Sequence, residues 1–126
     1  MIVLDTHTWI WLNDDAKRLS KDAHKAIRQE SELGVSAFSL WEVAMLCQCG
    51  RIKLDRPLQA WLENACSLTG IRILPLTIPI ATRVAQLNIH GDPADRVIVA
   101  TALVHKCRLV TIDENIQESA LVETVW

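Results

Sequence analysis

Five acidic side chains of this 126-residue chain stand where a short apolar run ends or a helix opens. Asp5 follows Ile2-Val3-Leu4, Glu42 closes Ser39-Leu40-Trp41-Glu42, and Asp113 follows the run Arg108 to Ile112. Asp92 and Asp95 flank Pro93 and Ala94 within HGDPADRVIVATAL, His90 to Leu103. Each has a purely structural explanation. Asp92 before Pro93 reads as an N-cap with proline at the first helical position, Asp95 faces the positive helix end, and Ser39 with Glu42 has the spacing of a capping box. Capping gives no reason for several carboxylates to share one place, because neighbouring carboxylates repel and raise one another's pKa. A cation does give one. The chain has no Cys/His cluster of metal-ligand spacing, so an all-oxygen site would suit a hard ion, Mg²⁺ or Mn²⁺, and would suit metal-assisted hydrolysis of a phosphodiester.

Whether these acids meet depends on the elements that carry them. Ile2-Val3-Leu4 reads as a buried strand, Thr6 to Leu12 as a short helix, and Ser20 to about Glu32 as a charged, solvated helix with Ala23, Ala26 and Ile27 inward. Gly34 to Ala37 is a minimal strand, and Ser39 opens the next helix. Pro57 starts another helix, in which Leu58, Trp61, Leu62, Ala65 and Leu68 recur at helical spacing until Gly70, making Trp61 a core residue. Ile71 to Leu74 reads as a strand, Pro79 to Leu87 as a helix, then the helix after Asp92, and Arg108 to Ile112 as a last strand. This alternation predicts a mostly parallel sheet with helices on both faces. In such sheets the ligand site lies outside the carboxyl ends of the strands, and Asp5, Glu42 and Asp113 all fall on that edge. The start of the helix carrying Asp92 and Asp95 belongs near it too.

Composition sets the wider bounds. A length of 126 residues with 50% hydrophobic content fits one domain spanning 1–126. The net charge of -2 gives no global field for nucleic acid, so a phosphate-binding surface would be a local patch. Cys47, Cys49, Cys66 and Cys107 lack a paired CxxC spacing and read as reduced thiols. The N-terminal MIVLDTHTWIWL is broken by Asp5 and falls far short of a membrane span. A soluble, cytoplasmic protein is expected.

Taken together, MIVLDTHTWIWL, SAFSLWEVAML, GRIKLD, HGDPADRVIVATAL and LVTIDENI resemble a PIN domain, specifically the VapC-type toxin ribonucleases of toxin-antitoxin pairs. The resemblance covers nearly the whole chain. It implies a three-layer α/β/α fold, Mg²⁺- or Mn²⁺-dependent endoribonuclease activity on RNA, frequent homodimerisation, and inhibition by a cognate antitoxin. It also implies an acidic quartet of Asp5, Glu42, Asp95 and Asp113, with Asp92 as a neighbour and Thr111 at the polar position before the last acid. On this reading Asp5, Asp95 and Asp113 hold the metal, and Glu42 is a ligand or orients the attacking water. One departure stands out: His7 occupies the position where many relatives carry Ser or Asn. Thr6 or Thr8 can supply that hydroxyl instead, or the imidazole can bond a carboxylate. Arg96, a cation in the first turn of a helix, needs an offsetting partner, either a site carboxylate or the RNA backbone. Arg51, Lys53 and Arg56 form a second candidate contact.

Two other readings compete. LDTHT loosely resembles the start of haloacid-dehalogenase-like phosphatases, though His7 replaces their second aspartate. A non-catalytic binding module would treat the acids as caps and Trp9, Trp11 and Trp41 as a partner surface, whereas core packing is the expected place for these tryptophans.

Overall fold

The computed structural model describes residues 1–89 and 91–126, leaving out His90, the first residue of the Asp92–Asp95 run. Five parallel strands alternate with seven helices in the order β1 (Ile2–Leu4), α1 (Thr6–Asp14), α2 (Lys21–Arg28), β2 (Leu33–Ser36), α3 (Ala37–Gln48), α4 (Leu58–Cys66), β3 (Ile71–Leu74), α5 (Ile78–Gln86), α6 (Pro93–Val104), β4 (Leu109–Val110), α7 (Glu114–Ser119) and β5 (Thr124–Val125). A 3-10 turn, Ala16–Arg18, joins α1 to α2. The strand order is β3-β2-β1-β4-β5. Connections therefore run to one side of β1 first and to the other side afterwards. That reversal between β1 and β4 opens a crevice at the carboxyl ends of the strands.

β1 is buried on both faces, as its unbroken apolar run requires. Ile2 and Leu4 join Val35, Trp9, Ala23, Ile27, Val43 and Trp61 in one core. Val3, pointing the other way, joins Leu109, Ile98, Val99, Ala102 and Ile116 in the second. α3 bridges the layers, because Val43 and Leu46 pack in the first core while Phe38 packs beside Ile80, Val97 and Ala100 of α5 and α6. α6 feeds a strand parallel to β1, so it must descend from the carboxyl edge. Its first residues thus begin at the crevice.

Several sequence boundaries shift, each for a local reason. The N-cap of α3 is Ser36, whose Oγ accepts from the Phe38 N–H at 3.1 Å, so the helix begins before Ser39. The Ser39–Glu42 capping box does not form. Both residues lie inside the helix, which removes the structural explanation for Glu42. α2 stops at Arg28 and α4 at Cys66, ahead of Gly70, which with φ +87° makes the turn into β3. β4 is only Leu109–Val110, and the two-residue β5 and six-residue α7 carry too little pattern to be read in advance. Among the tryptophans, Trp9 and Trp61 are core, whereas Trp41 is 50% exposed.

Gly34 shows how tightly the sheet is packed at its centre. A Cβ there would lie 2.8 Å from Leu74 Cδ1 and 3.2 Å from Met1 Sδ. Gly34→Ala is therefore expected to cost about 1–3 kcal/mol through overpacking, read as a lower urea midpoint at unchanged m-value. An unchanged midpoint would mean that Leu74 moves aside freely.

Candidate active site

Asp5 is the N-cap of α1 and sits just past β1, buried to 6% exposure. Its two oxygens are held separately. Oδ1 accepts from the Thr6 N–H at 2.7 Å, and Oδ2 accepts from Thr111 Oγ1 at 2.6 Å. Thr111, fully buried after β4, also accepts from the Asp113 N–H at 3.0 Å, so one hydroxyl couples the first acid to the last. Gln117 Nε2 donates to the Thr111 carbonyl at 3.0 Å, and Thr8 Oγ1 donates to the Val110 carbonyl at 3.0 Å. These bonds fix the ends of β1 and β4 relative to each other.

Glu42 comes from the other side. Thr6 Oγ1 and Ser39 Oγ lie 2.9 Å apart and share a hydrogen bond, pinning the first turn of α1 to α3. Glu42 follows Ser39 by three residues and so lies on the same face of α3. Its Oε1 is buried and has no hydrogen-bond partner among the described residues. Burial raises the Glu42 pKa, the neighbouring Thr6 hydroxyl opposes the rise, and Asp5 and Asp92 add to it. Burial likewise raises Asp5, against the bonds from Thr111 and Thr6 and the nearby His7.

Asp95 completes the group from the first turn of α6. Its pKa is pushed from an ordinary 3.8 to about 7, by burial first and then by Asp5, Asp113, Glu42 and Asp92. Four carboxylates thus direct negative charge at one half-buried carboxyl, three from other elements and Asp92 from the cap of α6 itself. Asp113 also caps α7, its Oδ1 accepting from the Ile116 N–H at 3.0 Å. Asp92 has the capping role expected of it, accepting from the Ala94 N–H at 3.1 Å.

The supporting residues divide. Thr6 and Thr111 bond within the cluster, with Ser39 and Gln117 as participants that the sequence reading did not assign to the site. His7 stands beside Asp5 but turns its ring toward Trp11, with centroids 5.8 Å apart. Arg96 makes no ion pair among the described residues. Arg56 pairs with Asp55 on the surface at 3.0 Å.

The donor set suits a hard cation: the side chains that gather here are carboxylates and hydroxyls, and Glu42 Oε1 is left unpartnered. Among the described residues, no three His, Cys, Asp or Glu side chains are drawn together tightly enough to hold an ion unaided.

Fold and site together define a class. The PIN domain family model matches residues 2–120, and the chain belongs to that family. It is 37% identical over 129 residues to Ribonuclease VapC22 of Mycobacterium tuberculosis (strain ATCC 25618 / H37Rv), covering 99% of this chain and 98% of that one. Among solved structures it resembles DNA-bound VapBC from Salmonella typhimurium, with a TM-score of 0.73, 18% identity, and 98% and 97% of the two chains covered. VapBC2 from Rickettsia felis, bound to a promoter DNA fragment, gives 0.71 at 14% identity with the same coverage. At such identities the structures speak for the fold alone. The match sets aside the phosphatase reading of LDTHT.

The raised Asp95 pKa fixes a pH dependence. Between the ordinary 3.8 and about 7 the native carboxyl holds a proton that the unfolded chain has lost. Native protein then binds more protons than unfolded protein, so metal-free stability falls as pH rises through that window and levels off above it. Discounted for solvent screening at a half-buried site, the loss is on the order of 1–2 kcal/mol. Urea melts in EDTA at pH 5 and pH 7.5 are expected to show it, and Asp95→Asn to remove most of it. A variant as pH-sensitive as wild type would assign the slope elsewhere.

Proposed function

We propose that the protein is a divalent-metal-dependent endoribonuclease acting as the toxin of a toxin-antitoxin pair. The observation that carries this reading is the convergence of Asp5, Glu42, Asp113 and Asp92 on Asp95 at the carboxyl edge of a PIN fold, where burial first and then these four charges raise the Asp95 pKa to about 7. Clustered repulsion is a cost that a scaffold has no use for. The 37% identity to a ribonuclease along nearly the whole of both chains supports the substrate class.

In this reading Asp5, Asp95 and Asp113 hold the ion. Bound Mg²⁺ or Mn²⁺ supplies a water of lowered pKa and offsets charge on the phosphate. Glu42, through its unpartnered Oε1, would orient an attacking water and accept its proton. Thr111 and Thr6 keep Asp5 in one orientation, so that its remaining lone pairs face the cluster. Asp95 must lose its proton to become a ligand, which makes ion affinity fall as pH drops below about 7. No side chain needs to act as the nucleophile. Unpaired RNA is the favoured substrate, since its bases and backbone can enter a crevice that a duplex cannot.

The test is cleavage of single-stranded RNA by purified protein. Activity is expected with Mg²⁺ or Mn²⁺ and absent in excess EDTA, and Asp95→Asn is expected to lower it by about a hundredfold or more. Undiminished cleavage in EDTA would reject the metal-dependent mechanism.

The same reading includes a cytoplasmic homodimer and an antitoxin partner. An acidic crevice attracts an Arg or Lys side chain from such a partner, and the matched VapBC structures favour the pairing. No helix among the described residues is long and apolar enough to cross a membrane. Expression of the chain alone is expected to arrest growth, and expression of a short protein encoded beside it to restore growth. Normal growth with the chain alone would remove the toxin role and leave the nuclease role standing.

A further inference from the structure

Trp41 has no structural reason to be where it is. Trp9 and Trp61 are buried in the core, whereas Trp41 is 50% exposed on α3, immediately before Glu42. Its ring lies against Phe38, centroids 4.8 Å apart and planes at 40°, and Phe38 is itself anchored among apolar residues of α5 and α6. The indole is thus braced while half of it faces solvent. It lines a cavity of about 110 Å³ together with Met45, Arg51 and two of the acids, Glu42 and Asp92.

We infer that this cavity is a subsite for one unpaired nucleobase of the substrate, stacked on Trp41, with Arg51 meeting the adjoining phosphate. The inference rests on the ribonuclease reading and extends it to a substrate-binding residue. Size supports a single flat ring, because the cavity is well below the several hundred Å³ that a whole small-molecule ligand occupies. Sugar and phosphate would then remain outside, beside the acids. Charge supports a nucleotide over an apolar peptide side chain, which would strip water from Glu42 and Asp92 and return no hydrogen bond. A base offers a π face to the indole and polar edges to the carboxylates. Arg51 is exposed, makes no ion pair among the described residues, and lies near enough to Glu42 to lower its pKa. It is a cation free to take a phosphate at the rim of an otherwise acidic crevice.

The test uses short single-stranded RNA carrying 2-aminopurine at successive positions, bound to Asp95→Asn protein so that it is not cut. Fluorescence is expected to be quenched at one position, to stay partly quenched with Trp41→Phe, and to recover with Trp41→Ala. In the active protein, Trp41→Ala is expected to raise KM by about tenfold at nearly unchanged kcat, and an abasic site at the quenched position to do the same. Arg51→Ala should raise KM with any base. Quenching and KM unaffected by Trp41→Ala would overturn the inference. So would a dimer in wild type that Trp41→Ala dissociates while quenching persists, since the indole would then cover a second copy of the chain. Failure of the ribonuclease reading is separately visible: wild type would cut no RNA, whatever the fluorescence reported.

Discussion

A carboxylate with 6% exposure at the end of a central strand is the constraint around which this fold is arranged. Burying an ionised Asp5 without partners would push it to neutralise or would unfold the edge. The bond from Thr111 at 2.6 Å and the one from the Thr6 N–H at 2.7 Å oppose this without cancelling it, and each imposes something further. Thr111 must sit just beyond β4, so β4 has to lie beside β1 in one register, Leu4 opposite Val110. Thr6 must open α1, so the chain turns directly out of β1 into a helix whose second bond, to Ser39, fixes α3. The site's geometry follows from how one buried acid is satisfied.

That arrangement carries an electrostatic load that the rest of the molecule absorbs. Asp95 is raised to about 7 by burial first and then by the charge of the other acids, and Glu42 keeps an oxygen with no partner. The Glu42 oxygen departs from the rule that buried polar groups are paired, and Asp95 departs from the usual carboxylate range. The two apolar layers, with Ile2, Leu4 and Val35 on one side and Val3, Leu109 and Ile98 on the other, supply the stability that makes these departures tolerable. Strain of this kind, confined to one edge and surrounded by well-packed structure, is where a cation gains most from binding.

The sequence made the sheet legible because β1 is an unbroken apolar run, β2 and β3 are short and mostly apolar, and the helices between them have helical spacing. It made the acids legible because Asp5 and Asp113 directly follow strands. What it could not carry were contacts between residues distant in the chain. Nothing near Ser39 indicates that its hydroxyl meets Thr6, and the local spacing favoured a capping box that Ser36 pre-empts by starting the helix three residues earlier. Nothing near Gln117 indicates a bond to the Thr111 carbonyl. β5 is a two-residue strand whose existence depends on pairing with β4, so it has no periodicity of its own to read. Trp41 reads as a core residue because indoles usually are buried, and only the three-dimensional position of α3 separates it from Trp9.

The two aspartates around Pro93 end up with different work, although their sequence setting gives both the same helix-start explanation. Asp92 is exposed and spends Oδ1 on the Ala94 N–H, so its capping bond would be worth about 1 kcal/mol with or without a site nearby. Asp95 is half-buried, and burial followed by the charge of the neighbouring acids raises its pKa. Its place in the first turn of α6 still matters, because the positive helix end partly offsets the approach of so much negative charge. The same helix start therefore does two things at once: Asp92 fixes where α6 begins, and that fixed start sets the point at which Asp95 meets Asp5, Glu42 and Asp113. Moving the cap by one residue would rotate Asp95 by roughly 100° around the helix axis and out of the cluster. The cap is structural, and the site depends on it.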